Sequence, residues 1–256
     1  MSRSIRLDYD KIAHLYDSQP YRAKSPDPEL SAFIREHPAR GPISVLDIAS
    51  GTGNQLIANR AVAPEAWLVG ADASFGMLRQ GCAKAPDIAW IRADATALPL
   101  SSRTFDFVGC QFAFHHFQDK RRMLAEGFRL LRPGGRLVLH NMGPEECPDW
   151  IYYRYFPAAR GADARDFWPV AKVTTAMTQV GFVAVQVQYE HVRSERDLSH
   201  WLPSLRRRDI CSQLQAIPDA EYKAGLLRLE AELADPAQPR TRADHLCLVT
   251  IRADKG

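Results

Sequence analysis

Cysteine is sparse and scattered in this chain of 256 residues: Cys82, Cys110, Cys147, Cys211 and Cys247 lie far apart and nowhere form Cys-x-x-Cys. An odd, dispersed set argues against a disulfide framework or a zinc cage, and for a reducing compartment. Long apolar runs are missing too. No stretch approaches the roughly 18 residues that cross a bilayer, and the opening MSRSIRLDYD lacks the apolar h-region of a signal peptide. These absences lead us to expect a cytoplasmic protein with no membrane partner. Charge of one sign is lacking as well: 33 Lys and Arg face 30 Asp and Glu, a net charge of +3. So small an excess does not support a nucleic-acid partner, and the densest basic run, Arg206 to Arg208, reads as a solvated helix face. There is no internal repeat and no low-complexity tract.

What is present is an ordinary globular composition, 46% hydrophobic and 25% charged. LDYDKIAHLYD sets Leu7, Ile12, Leu15 and Tyr16 at helical spacing. Pro20, Pro26 and Pro28 then break the chain, and a second helix is expected over residues 29–36. From Ile43 strands and helices alternate. ISVLDI leads through small residues into a helix, NQLIANRAV, which ends at Pro64. WLVGAD, SFGMLRQGCAKA and IAWIRAD follow as strand, helix and strand. TFDFVGCQFAF is nearly all apolar, as a strand covered on both faces should be. DKRRMLAEGFRLL is a helix capped by Asp119 and stopped by PGG, and RLVLHNM is the fifth strand. Such alternation predicts a doubly wound, mostly parallel α/β sheet.

After Met142 the rhythm is lost. Residues 143–170 read as an irregular insert with Pro144, Pro148, Pro157 and Pro169. AKVTTAMTQVGF is a helix stopped at Gly181, and FVAVQVQYE a sixth strand. Residues 194–235 read as helical, opened by a capping box of Ser194 and Asp197. DPAQPR is a linker, and DHLCLVTIRA a seventh and last strand. One domain over residues 1–256 is expected, with a helical cap at 1–40, a core at 43–142 and insertions at 143–170 and 191–243. Trp150, Tyr152, Tyr153, Tyr155, Phe156, Phe167, Trp168 and Trp201 fall in those insertions. They line an acceptor site, or form the core of a lid or of a homodimer contact; both readings stay open.

VLDIASGTGN raises the functional question. A strand, a small-residue turn and a helix start together let a ligand approach the main chain. In an open α/β sheet the ligand crevice lies at the carboxyl ends of the strands. A dinucleotide fingerprint needs a third glycine where Leu56 stands, and a phosphate loop needs Gly-Lys-Ser/Thr, which is absent. The ligand expected is therefore a nucleoside without a pyrophosphate. Asp72, closing the second strand, can accept two hydrogen bonds from a ribose diol; capping the next helix is its plainer role. Asp94 can accept from an exocyclic amine, or close a turn.

VLDIASGTG, LVGADASFGML, IRADATALPL, FDFVGCQFAFHHF and FRLLRPGGRLVL, in this order and spacing, resemble class I S-adenosylmethionine-dependent methyltransferases of the small-molecule, UbiE-like type. The likeness is close over about residues 43–142 and looser over DYDKIAHLYD. It implies a Rossmann-like methyltransferase fold and S-adenosyl-L-methionine as cofactor. Ala49, Ser50, Gly51 and Gly53 would pack on the methionine part, with Asp47 orienting the turn. Asp72 would hold the ribose hydroxyls, flanked by Ala73 and Met77, and Asp94 with Ala95 would face the adenine amino group. Gln111 and Phe112 would lie near the amino-acid end, and Tyr16 would close over it. The family usually has glycine where Ala49 stands, which puts the backbone path in question. CQFAFHHF is faintly similar to cap guanine-N7 methyltransferases, but the balanced charge speaks against RNA.

Such a reaction is an in-line displacement, where alignment of two reactants supplies about 7–11 kcal/mol of the barrier. A base is needed only if the acceptor must lose a proton. His115 and His116, after the fourth strand, stand where a base belongs, and backbone satisfaction is the competing role. No metal is expected, since adjacent histidines should point apart and no third ligand is suitably spaced. Two alternatives remain: a nicotinamide-dependent oxidoreductase, and a module that binds the cofactor without turnover.

Overall fold

A computed structural model describes residues 8–18, 22–38 and 40–256. Leu7 and Pro20, used above to bound the first helix, lie outside the described residues. Strands β1 (Ser44–Ile48), β2 (Trp67–Asp72), β3 (Ala89–Arg92), β4 (Phe105–Gln111), β5 (Leu131–Met142), β6 (Phe182–Asp197) and β7 (Thr241–Lys255) form one sheet in the order β3-β2-β1-β4-β5-β7-β6. The sheet is mostly parallel with one antiparallel hairpin. Chain order reverses between β1 and β4, whose register pairs Val45 with Phe107 and Asp47 with Gly109. That reversal opens a crevice at the carboxyl ends of the central strands. β1 is buried throughout, and β4 is buried up to Cys110, as both-face coverage requires.

The chain divides into two compact units. The first comprises residues 8–141, 170–188 and 249–256. It holds helices α1 (Tyr9–Tyr16), α2 (Pro28–Glu36), α3 (Asn54–Asn59), α4 (Phe75–Lys84), α5 (Lys120–Leu130) and α8 (Val170–Val180) with its strands. Leu30 and Phe33 of α2 meet Val45, Leu56, Leu68, Ile88, Phe107 and Val138 in its core. The expected ends hold where local chemistry sets them. Asp119 caps α5 by accepting from the Arg122 N–H at 2.9 Å. Gly181, at φ +116°, ends α8. The PGG stop is different in kind: β5 starts at Leu131 directly after α5, and a register shift against β4 absorbs Gly134 at φ +70°.

The second unit comprises residues 142–169 and 189–248 among those described. Two expectations fail here. Residues 143–170 are not irregular, because α6 (Ile151–Tyr155) and α7 (Pro157–Asp166) occupy most of them. Pro157 opens α7 at a position where its missing N–H costs nothing. Residues 194–235 are not one helical stretch opened at Ser194. β6 runs on to Asp197, whose side chain caps α9 (Leu198–Leu205) by accepting from Ser199 N and His200 N. α10 (Ser212–Ala216) and α11 (Asp219–Ala234) follow after breaks. Trp150, Tyr153, Tyr155, Phe156, Phe167 and Trp201 are buried in this unit's own core, with Tyr152 packed against it. Among the described residues no helix is long and apolar enough to cross a membrane.

Candidate functional site

The turn after β1 is strained by design of its backbone. Ala49, Gly51 and Gly53 all have positive φ, at 58°, 55° and 77°. Its glycines have different duties. A Cβ on Gly53 would stand 2.1 Å from the Trp90 ring, and Cβ atoms on Gly70 and Gly81 would come within 2.6 and 2.8 Å of the same ring. The indole of Trp90 therefore fills the space that three glycines vacate, and its Nε1 donates to Ala85 O at 3.0 Å. Gly51 is the open one, since the nearest atom to its Cβ position is Tyr16 Cε1 at 3.9 Å. Leu56 is fully buried in the core, so the third-glycine position serves packing. α3 is only six residues long, shorter than NQLIANRAV suggested, and the turn's N–H groups are bonded within the protein, Ser50 N to Ala71 O, Gly51 N to Asp72 Oδ2 and Gly53 N to Ser50 O.

Asp72 reaches back to this turn. Its Oδ2 accepts from Gly51 N and its Oδ1 from Ser74 N, each at 2.8 Å. Burial raises its pKa, and those two N–H groups oppose the rise. Ser74, not Asp72, caps α4 by accepting from Met77 N. Ala73 presents its carbonyl to Arg92, and Met77 is buried in the first turn of α4. Asp94 closes a turn by accepting from Thr96 N and Thr96 Oγ1 at 2.8 Å, next to half-buried Ala95.

Two buried polar atoms in and beneath the turn, Ser50 Oγ and Asp47 Oδ1, have no hydrogen-bond partner among the described residues. Asp47 is 6% exposed. Burial, then the negative charges of Asp27 and Asp72, push its carboxyl up to about 8, while Lys24 opposes them. Lys24 lies with its ammonium 4.8 Å from the Phe112 ring centroid. Phe112 has φ +52° and donates its N–H to His140 O at 2.7 Å, and Gln111 Nε2 reaches Asp27 Oδ2 at 3.4 Å.

α1 spans the rim of this site. Asp10 accepts from Ser74 Oγ at 2.7 Å and from Gly76 N at 2.5 Å. Asp17, just past the helix, accepts from Thr52 Oγ1 at 2.6 Å and Asn54 Nδ2 at 2.9 Å. Tyr16 accepts from Arg22 at 2.7 Å. Tyr9 OH meets His116 Nε2 at 2.9 Å.

His115 and His116 sit in a 3-10 turn, not on a strand, so their rings do not point apart: the centroids are 3.9 Å from each other. Burial above all, then the charges of His116 and Lys120, hold His115 well below the ordinary imidazole value, against a hydrogen bond to Asn141 Oδ1 at 3.2 Å. Lys120 donates to His115 O and Phe117 O.

One pair has no counterpart in the sequence reading. His140 Nε2 lies 3.1 Å from Asp27 Oδ2, and His140 Nδ1 2.9 Å from Thr250 Oγ1. Asp27 is 2% exposed. Burial raises its pKa, but bonding and charge from His140, with the Glu29 and Leu30 N–H groups, bring it below normal. The one local signal was SPDPE, where Asp27 caps α2 by accepting from Glu29 N.

Residues 45–135 match the family described as "Methyltransferase domain". A demethylmenaquinone methyltransferase of Thermus thermophilus is 38% identical over 109 residues, covering 41% of this chain and 50% of that protein. One from Deinococcus radiodurans is 41% identical over 117 residues, covering 44% and 48%. The chain thus spans about half the length of these relatives. YcgJ of Bacillus subtilis aligns in structure with TM-score 0.62 at 20% identity, over 88% of this chain and 97% of that one. Phosphoethanolamine N-methyltransferase 2 of Haemonchus contortus, solved with S-adenosyl-L-methionine, aligns with TM-score 0.57 at 16% identity, over 96% and 57%. At such identities the structural likeness speaks for the fold: a Rossmann-like, seven-stranded methyltransferase sheet.

Proposed function

We propose that this chain, with a methyltransferase-type sheet and a methyltransferase-domain sequence over its central stretch, binds S-adenosyl-L-methionine and transfers the methyl group to a small-molecule acceptor. The observation that supports the reading is the buried Asp47 carboxyl oxygen, without a hydrogen-bond partner among the described residues, below a turn whose Gly51 is open. A buried acid without a partner is costly. It fits a ligand that brings a cationic donor to this place, as an amino-acid ammonium does.

When bound, the cofactor supplies a methyl group activated on a sulfonium. Asp47 takes the ammonium end. Asp72 holds the ribose diol with the lone pairs its two main-chain bonds leave over, charge-assisted. Asp94 and Ala95 take the adenine edge, Ser50, Gly51 and Ala49 the methionine chain, and Gln111 and Phe112 its amino-acid end. Tyr16 covers Gly51, and α1 excludes water, which strengthens every fixed dipole in the site. His115 stays neutral at pH 7 and can take a proton, as can His116, where the acceptor has one to lose.

The quinone named in the relatives is not carried over, because the shared stretch is the cofactor core. Residues 143–170 and 191–243 are assigned the choice of acceptor, their buried aromatics serving as the core of the second unit. Five free cysteines suit the reducing compartment expected from the sequence.

Calorimetric titration with S-adenosyl-L-methionine tests the reading, with Asp72→Ala as control. Binding by the wild type and its loss in the variant are expected. If the wild type shows no binding, or thermal shift responds to NAD or NADP alone, the oxidoreductase alternative takes its place. Binding without turnover across a broad acceptor panel favours the non-catalytic module.

A further inference from the structure

β6 and β7 carry the chain into and out of the long insertion before the C-terminus. In the second unit a histidine from each strand meets the other: His191 Nδ1 lies 3.0 Å from His245 Nε2. Their ring centroids are 5.2 Å apart and the planes incline by 36°. His191 is exposed and His245 half-buried, so the pair reaches solvent. Neither residue is among those assigned to the cofactor.

We infer that His191 and His245 form a two-histidine site for a divalent late first-row transition cation, Ni2+ or Zn2+, with water filling the remaining positions. Imidazole nitrogen suits these ions. Two such nitrogens at about 2.0–2.1 Å from one ion stand about 2.9 Å apart at a right angle, and about 3.4 Å apart at a tetrahedral angle. The observed 3.0 Å falls in that span. Binding then asks only for a turn of each ring about χ2, since the two strands already fix the Cα positions. In the hydrogen bond one facing nitrogen carries the shared proton; on binding, that ring changes tautomer through solvent, its proton passing to its outer nitrogen (Nε2 of His191 or Nδ1 of His245), so that both facing nitrogens offer lone pairs to the ion. Two metal–nitrogen bonds form, two waters leave the hydrated ion, and no electron moves. Among the described residues no third His, Cys, Asp or Glu joins the pair. The site is therefore open to exchangeable water. An ion here ties together the two ends of the insertion and stabilises the folded unit by linkage.

The test is Ni2+ titration of the tag-free full chain by calorimetry, beside His191→Ala and His245→Ala, with paramagnetic broadening of the imidazole NMR signals. One Ni2+ per chain is expected, with broadening confined to His191 and His245 among the 8 histidines. Neither variant should bind at concentrations that saturate the wild type, and Ni2+ should raise Tm only in the wild type. Absence of binding, broadening at other histidines instead, or undiminished binding in the variants overturns the assignment. If a variant fails to fold, the broadening pattern of the wild type decides alone.

Discussion

Asp47 is held at about 8 inside the fold, whereas an unfolded chain releases its proton near 4. Between these values the unfolded state binds fewer protons than the native state, so stability falls as pH rises from about 4 to 8. Its contribution is present in acid and lost by the time pH passes the folded value. Asp47→Asn removes that loss. Denaturant melts at pH 5 and pH 8.5 should show the variant gaining on the wild type at the higher pH, by about 1.4 kcal/mol for each pH unit of separation realised. The same change should weaken S-adenosyl-L-methionine binding. A variant equal to the wild type in both measurements would remove Asp47 from the site.

Backbone strain in the turn makes a second residue-scale contrast. Gly53→Ala places a Cβ into the Trp90 ring at φ +77°, and should cost about 1–3 kcal/mol in stability. Gly51→Ala pays only for its φ, and its damage should appear in cofactor titration instead. Ala49 already carries a side chain at φ +58°. Ala49→Gly should stabilise by about 0.5–1 kcal/mol, read as a higher Tm, because the left-handed region costs any Cβ-bearing residue more.

At the scale of elements, α1 is fastened to three separate loops of the site through Asp10, Asp17 and Tyr9. Hydrogen bonds from Ser74 and Gly76 hold the Asp10 carboxyl below its normal range. Asp10→Ala should raise hydrogen exchange over residues 9–16 and weaken cofactor binding, while leaving exchange in β1 and β4 unchanged. Unaltered exchange in α1 would show that these bonds do not hold it down. This element also marks the limit of what the sequence discloses. WLVGAD could be bounded at both ends because its apolar run and terminal acid are local signals, and β2 covers those residues. Asp119 was readable as a cap for the same reason. The fastening of α1 joins residues such as Asp10 and Ser74, and the Asp27–His140 pair joins positions still farther apart. No periodicity of 2 or 3.6 records such meetings. The histidine turn misled for a related cause: TFDFVGCQFAF reads as strand as far as Phe114, whereas β4 ends at Gln111 and Phe114 to His116 form a 3-10 turn that brings the two rings together.

At the scale of the whole molecule, two units with their own cores imply two sites of mutational sensitivity. Trp201 packs edge-on against Tyr152 and Tyr155 in the second unit. Trp201→Ala should cost that unit about 3–5 kcal/mol, visible as a lowered calorimetric transition. S-adenosyl-L-methionine at 100 times its Kd should stabilise the first unit by about 2.7 kcal/mol. If one transition shifts equally under both perturbations, the units melt together. The doubly wound, mostly parallel sheet was legible because alternating segments at short spacing admit few topologies. The second unit was not, since prolines and aromatics look alike in a loop and in a small helical core; only burial separates them.

Trp90 rests on Gly53, Gly70 and Gly81 at once. In descent, these four positions are not free to drift singly. A lineage that shrinks the residue at 90 releases all three glycines from selection, and one that gains a side chain at any of the three must first give up the indole. Aligned homologues should therefore show position 90 covarying with 53, 70 and 81, while Gly51 follows the ligand instead.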